Sequence, residues 1–117
     1  MKHLFILNDP PYGTERSYNG LRLALALPKQ DPVAQITVFL MADAVACAKQ
    51  DQKTPDGYYN IERMVKGVLA AKGEVVLCGT CMDARGVGDN EIIAGARRGT
   101  MAILAAATAV TDQVLIF

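Results

Sequence analysis

Two cysteines separated by two residues, Cys78 and Cys81, form the part of this sequence best suited to chemistry. They lie in the segment LCGTCMDARG, residues 77–86, which also contains the acid Asp83 and the base Arg85. A thiol reacts as its thiolate, and a nearby cation or helix N-terminus lowers its ordinary pKa of about 8.5. Arg85 is such a cation, so this segment is predicted to contain the reactive site.

The residue types alone allow several interpretations of the cysteine pair. A zinc site needs two more ligands, and Cys47 and His3 lack the paired spacing of zinc sites, so no metal is expected. Thiol–disulfide exchange is an alternative, as is a scaffold or small-ligand binding protein with incidental cysteines. Cys47, in an alanine-rich segment, is interpreted as inert filler. Gly79 and Asp83 are poor core companions, so Cys78 is expected in an exposed loop.

The amino-acid composition limits the classes of function that this protein can have. The chain has 117 residues, 51% of them hydrophobic, which predicts one domain spanning residues 1–117. Its 12 basic and 12 acidic residues provide no basic field for nucleic acid. No apolar stretch reaches the roughly 18 residues of a membrane-spanning helix. The glycines at 86 and 88 lack the full dinucleotide-binding pattern, so no cofactor is expected.

Cysteine usage and the N-terminal sequence predict a cytoplasmic protein. Three cysteines without a charged-then-apolar leader do not fit a secreted disulfide framework, and a reducing compartment is the expected location. The net charge of zero does little to oppose self-association.

Four short segments rich in apolar, β-branched or aromatic residues are predicted to form strands of a mostly parallel sheet: residues 4–7, 34–41, 74–77 and 113–117. Three segments show helical patterns: residues 15–27 ending at Pro28, residues 61–69 capped by Asn60 and closed by Lys72 and Gly73, and residues 100–110. Asp43 and Asp89 are each expected to cap a short helical segment. Residues 50–59 are expected to form a flap.

Alternating strands and helices predict a single three-layer α/β domain with a mostly parallel sheet, flavodoxin-like or related. Reactive groups of such sheets gather beyond the carboxyl ends of the strands. Tyr12, Asp43 and Cys78 each follow a predicted strand, so these three residues are expected to converge at one sheet edge.

Motifs along nearly the whole chain carry a resemblance to a known family. They are PYG at residues 11–13, LRLA at 21–24, VFLMADAV at 38–45, GYYNI at 57–61, LCGTCMDARG at 77–86 and VLIF at 114–117. In this order they resemble the DsrE/TusD-like sulfur-relay family, above all its YchN-like (DsrE/DsrF-like) branch. The resemblance implies a DsrE-like parallel α/β domain and a homo-oligomer, trimeric or hexameric.

The resemblance also implies a reaction. Relay members carry sulfur as a persulfide on a strand-end cysteine upstream of an Arg-Gly pair, and Cys78 with Arg85 and Gly86 matches that placement. Cys78 is thus predicted to take sulfur from a donor protein and pass it to an acceptor thiol. Cys81 would be a resolving or second acceptor thiol. The supporting residues expected around them are Thr80, Asp83, Arg85, Asp43 and Tyr12. Arg85 is expected either to activate the thiol or to be a solvated surface charge or subunit ion pair, and Asp83 to form a turn.

Overall fold

Five apolar or short polar segments pair as strands of a single sheet in this computed structural model, which describes residues 1–55 and 57–117. The sheet order is β4-β3-β2-β1-β5 and all of its pairings are parallel, as predicted. The order differs from the 2-1-3-4-5 order of flavodoxin itself. The strands are β1 (Lys2–Leu7), β2 (Gln35–Leu40), β3 (Glu74–Cys78), β4 (Arg97–Gly99) and β5 (Gln113–Ile116).

Helices cover both faces of the sheet, which gives the three layers predicted. They are α1 (Arg16–Gln30), α2 (Ile61–Ala70), α3 (Gly79–Ala84) and α4 (Met101–Val110), with two 3-10 helices at Ala42–Ala48 and Asp89–Glu91. Gly20 of α1 lies so close to Leu7 that an added Cβ would be 2.6 Å from its Cδ2. Helix α4 lies on the opposite face, because Ile103 approaches Gly99 on the Val76 side of the sheet.

The first helix extends beyond its predicted end. Pro28 lies inside the last turn of α1, which continues to Gln30, instead of ending the helix near Leu27. Proline removes one amide donor, and in this last turn the helix still closes through the Asp31 amide, which donates to the Leu27 carbonyl at 2.9 Å.

Lys72 and Gly73 end α2, but the left-handed conformation expected at the glycine lies at the lysine. Lys72, not Gly73, has the left-handed conformation, with φ of 70°. The Lys72 and Gly73 amides donate to the carbonyls of Leu69 and Val68, at 3.0 and 2.9 Å, in a Schellman pattern. Gly73 is needed for a different reason, because a Cβ there would lie 2.7 Å from Val68 Cγ1.

Residues 97–99 form strand β4, which the sequence analysis missed. The sequence of this strand, Arg-Arg-Gly, has no apolar periodicity that would predict a strand. The predicted flap at 50–59 has no helix or strand among its described residues, and Asp56 lies outside them. Among the helices that the structure describes, none is long and apolar enough to cross a membrane.

Asn60 caps α2 as predicted, because its side-chain oxygen accepts a hydrogen bond from the Arg63 amide at 3.0 Å. Asn60→Ala is expected to lower the free energy of unfolding by about 1 kcal/mol, measured by urea denaturation. Asn60→Ser keeps a cap acceptor and should retain most of that stability. If Asn60→Ser loses as much stability as Asn60→Ala, the cap does not account for the loss. Both variants also lose the hydrogen bond from Asn60 Nδ2 to the Gln52 carbonyl, which would then be its cause.

Candidate functional site

Cys78 has two structural roles at once. It is the last residue of β3, where it pairs with Gly99 of β4, and it is the N-cap of α3. Its Sγ accepts a hydrogen bond from the Cys81 amide at 3.3 Å and lies 3.3 Å from the Thr80 hydroxyl. The prediction of an exposed loop is wrong, because α3 begins at once and leaves Cys78 only 8% exposed. The position at the carboxyl end of a strand is as predicted.

Hydrogen bonding makes the Cys78 thiol more acidic than an ordinary cysteine. Burial by itself raises its pKa. Against this, hydrogen bonds from the side chains and backbone amides of Cys81 and Thr80 stabilise the thiolate, and together they lower the pKa of Cys78 below its usual value. Cys78 is therefore the more acidic thiol of the pair.

Cys81 is the less acidic thiol of the pair. Burial and the hydrogen bond that its thiol gives to Cys78 raise the pKa of Cys81, while the Ala42 backbone amide and the Arg85 charge act in the opposite direction. Its side chain is partly exposed. The pKa values of the two thiols are therefore shifted in opposite directions.

Arg85 binds Asp43 and the Cys81 carbonyl, and not the Cys78 thiol that it was predicted to activate. Its Nε donates to Asp43 Oδ1 at 2.8 Å and its Nη1 to the Cys81 carbonyl at 3.2 Å. The reason is its position at the C-terminal end of α3, which directs it toward the end of β2. Arg85 therefore forms an ion pair with Asp43 of its own chain.

Asp43 reaches the thiol segment, but not as a helix cap. Met41 occupies the cap position of the 3-10 helix at Ala42–Ala48 without a side-chain hydrogen bond, and Asp43 lies in the first turn. Its carboxylate is held by Arg85. The expected convergence of the ends of β2 and β3 is therefore achieved through this ion pair.

Tyr12 contacts a different part of the molecule from the thiols. Its hydroxyl donates to Gln52 Oε1 at 2.6 Å and accepts from the Ile61 amide at 3.2 Å. These contacts fasten the segment after residue 50 to the start of α2.

Arg98 is the site residue that sequence reasoning missed. From β4 its Nη1 donates to the Gly79 carbonyl at 2.9 Å and to Asp83 Oδ1 at 3.0 Å, and its Nε donates to Asp89 Oδ1 at 2.9 Å. Asp83 is thus an ion-pair partner inside α3, not the turn residue predicted. The two carboxylates raise the pKa of Arg98, although burial opposes them. Its sequence signal, one of two adjacent arginines, did not point to the thiols.

A cleft of about 280 Å³ opens beside Cys78. We call it the α3–α4 cleft, and its lining residues are Cys78, Gly79, Thr80, Asp83, Arg98, Gly99, Thr100 and Met101. Cys78 is the thiol of the pair on this lining, so a molecule entering the cleft meets the more acidic sulfur.

The other metal and thiol candidates lie elsewhere. Cys47 is fully buried, and burial raises its pKa to about 12, which fits the predicted inert role. His3 is on β1, which β2 separates from β3. Across residues 1–55 and 57–117, no group of three or more His, Cys, Asp or Glu side chains is arranged to hold a metal ion.

The whole chain matches a known family. The DsrE/DsrF-like family profile covers residues 1–117. The chain belongs to the DsrE/DsrF-like family. Protein YchN of Escherichia coli K12 is 40% identical over 116 residues, which cover 99% of this chain and 98% of YchN. MJ0989 of Methanocaldococcus jannaschii is 33% identical over the full length of both chains.

Solved structures give the same assignment for this DsrE/DsrF-like chain. The crystal structure of YchN from E. coli matches with a TM-score of 0.94, covering 100% of this chain and 99% of that one. MTH1491 from Methanobacterium thermoautotrophicum shares the fold, with a TM-score of 0.79 over 97% of each chain at 13% identity. The predicted family and fold are therefore confirmed.

Removing the Thr80 hydroxyl should raise the pKa of Cys78. Thr80→Val deletes a hydrogen bond that stabilises the thiolate, so the thiolate fraction at neutral pH falls by up to about tenfold, or one pKa unit. The measurement is the rate of Cys78 alkylation by iodoacetamide against pH, followed by mass spectrometry. Thr37→Val on β2 is the matched control and should leave the profile unchanged. An unaltered profile in Thr80→Val would contradict this origin of the acidity.

Proposed function

We propose that this protein is a cytoplasmic sulfur carrier that accepts persulfide sulfur on Cys78 and passes it to an acceptor thiol. Membership of the DsrE/DsrF-like family supports a role of the sulfur-relay type. The observation that carries the proposal is the acidic thiol of Cys78, held at the end of β3 and lining an open cleft. Free thiols at Cys47, Cys78 and Cys81 accord with a reducing compartment.

The loading step is a thiolate displacement. The Cys78 thiolate attacks the outer sulfur of a donor persulfide, a bond forms between these two sulfurs, and the donor's own sulfur–sulfur bond breaks. The donor leaves as a thiolate, which takes a proton from water. The transferred sulfur keeps its oxidation level, so the step needs neither oxidant nor reductant.

Thiol–disulfide exchange is the second candidate function, because the two cysteines lie one helical turn apart and the Cys81 amide donates to the Cys78 sulfur at 3.3 Å. It requires a Cys78–Cys81 disulfide to form at cytosolic redox potentials. Measuring the reduction potential of the pair separates it from sulfur transfer, which needs no such bond.

A second copy of the same chain is the proposed partner of an exposed apolar surface. The ten residues of α4 contain no charged side chain, and only Leu104 among them is buried. Val114 and Ile116 of β5 add to this surface, because their register partners Leu4 and Ile6 place them on the α4 side of the sheet. A large exposed apolar patch is typical of an interface between subunits, and the net charge of zero does little to oppose self-association. We propose a trimer or hexamer built through it.

Sulfur loading tests the main proposal. Reduced protein is incubated with sodium tetrasulfide and digested under non-reducing conditions, and the Cys78 peptide should gain the mass of one sulfur because its thiolate is the nucleophile. Cys78→Ser should abolish rapid loading, and Cys47→Ala should load normally because Cys47 is buried and has a pKa of about 12. Absence of the one-sulfur increment in the wild-type protein would refute the proposal.

Charge placed on α4 tests the subunit interface. Ala106→Glu buries a carboxylate in the proposed contact, so light scattering coupled to gel filtration should show dissociation toward monomer. Ala94→Glu, at an exposed position outside α4, is the control and should keep the assembly. A monomeric wild-type protein, or an unchanged mass in Ala106→Glu, would contradict the interface.

A further inference from the structure

The two thiols face different surfaces although their backbones are one helical turn apart. Cys78 lines the α3–α4 cleft, whose lining, among the described residues, does not include Cys81. Cys81 lies against the carboxyl end of β2, where the Ala42 backbone amide acts on its thiol and Arg85 binds its carbonyl and Asp43. We call Ala42, Asp43, Cys81 and Arg85 the β2-end surface.

From this separation we propose that sulfur enters through the α3–α4 cleft onto Cys78, passes internally to Cys81, and leaves from the β2-end surface. The inference rests on the proposed sulfur-carrier function and assigns each thiol one side of the relay. The donor is a slender persulfide or short polysulfide, and the acceptor is a thiol on a large molecule.

The size of the cleft supports the choice of donor. Its volume of about 280 Å³ falls below the range typical of pockets for drug-sized ligands, and Cys78 is only 8% exposed inside it. A polysulfide chain or a single persulfide side chain fits such a space. A folded acceptor protein cannot bring its thiol to Cys78 by this route without inserting an arm.

The exposure of the β2-end surface supports the choice of acceptor. Asp43 and Arg85 are exposed and Cys81 is partly exposed, so a large molecule can approach this thiol directly. Ala42 adopts a left-handed φ of 49°, a conformation that L residues rarely adopt and that is often retained at functional sites. Here it accompanies the contact between the Ala42 amide and the Cys81 sulfur.

The internal step balances without a co-reactant. The Cys81 sulfur, as it loses its proton, attacks the outer sulfur of the Cys78 persulfide. The bond between Cys78 Sγ and that sulfur breaks, and Cys78 leaves as a thiolate that takes up the proton from Cys81. The products are a Cys81 persulfide and a Cys78 thiol. The more acidic thiol is the better leaving group, which favours transfer in this direction.

The test separates loading from unloading. Protein loaded with sodium tetrasulfide and freed of excess reagent is mixed with a polyethylene-glycol thiol too large for the cleft, and sulfur on each cysteine is followed by mass spectrometry. Wild-type protein should show the increment on Cys78 and then on Cys81, and should unload. Cys81→Ser and Cys81→Ala should still gain sulfur on Cys78, more slowly in Cys81→Ala because the Cys81 side chain no longer stabilises the Cys78 thiolate. Once loaded to the same extent as the wild type, both variants should unload at least about tenfold more slowly. Circular dichroism verifies that each variant is folded.

Three results would overturn the inference. One is unloading of both Cys81 variants at the wild-type rate. Another is rapid loading of Cys81 in Cys78→Ser. The third is release of sulfide with formation of a Cys78–Cys81 disulfide, because that means attack on the inner sulfur. Each differs from failure of the proposed function itself, in which the wild-type protein gains no sulfur at all. Cys47→Ala serves as control and should load and unload as the wild type does.

Discussion

The site depends on the double placement of Cys78 as the last residue of a strand and the cap of a helix. Pairing with β2 and β4 fixes the backbone at the end of β3, and the hydrogen bond from the Cys81 amide fixes the sulfur over the first turn of α3. An N-cap acceptor satisfies an amide that the helix leaves unpaired, and an anionic acceptor does so more strongly than a neutral one. The interaction that starts the helix is therefore the same one that favours the thiolate.

Strand β4 and Arg98 hold this arrangement from the other side. The guanidinium joins the edge of the sheet to both ends of α3, through the Gly79 carbonyl and the Asp83 carboxylate. A Cβ on Gly79 would lie 3.0 Å from the Arg98 side chain, so glycine leaves the space that the guanidinium occupies. Exposed ion pairs contribute little energy individually, and the value of this one lies in fixing the position of the helix that carries both thiols.

The same edge of the molecule connects the chemistry to the proposed assembly. Met101 begins α4 and also lines the α3–α4 cleft, so the apolar helix proposed as a subunit interface borders the entrance to Cys78. Self-association through α4 would reshape that entrance, while the β2-end surface lies on the other side of α3. The proposed loading route and the proposed subunit interface therefore share one side of the molecule, and Cys81 does not line that cleft.

The sequence by itself determined four of the five strands, three of the four helices, the cap at Asn60 and the strand-end position of Cys78, because apolar runs and helical spacing are local signals of burial. It did not determine β4, since Arg-Arg-Gly has no such pattern and pairs only because β3 presents an edge to it. Nor did it determine the burial of Cys78, the partner of Arg85 or the role of Arg98. These depend on distances between residues far apart in the chain, and packing of the tertiary structure alone sets such distances.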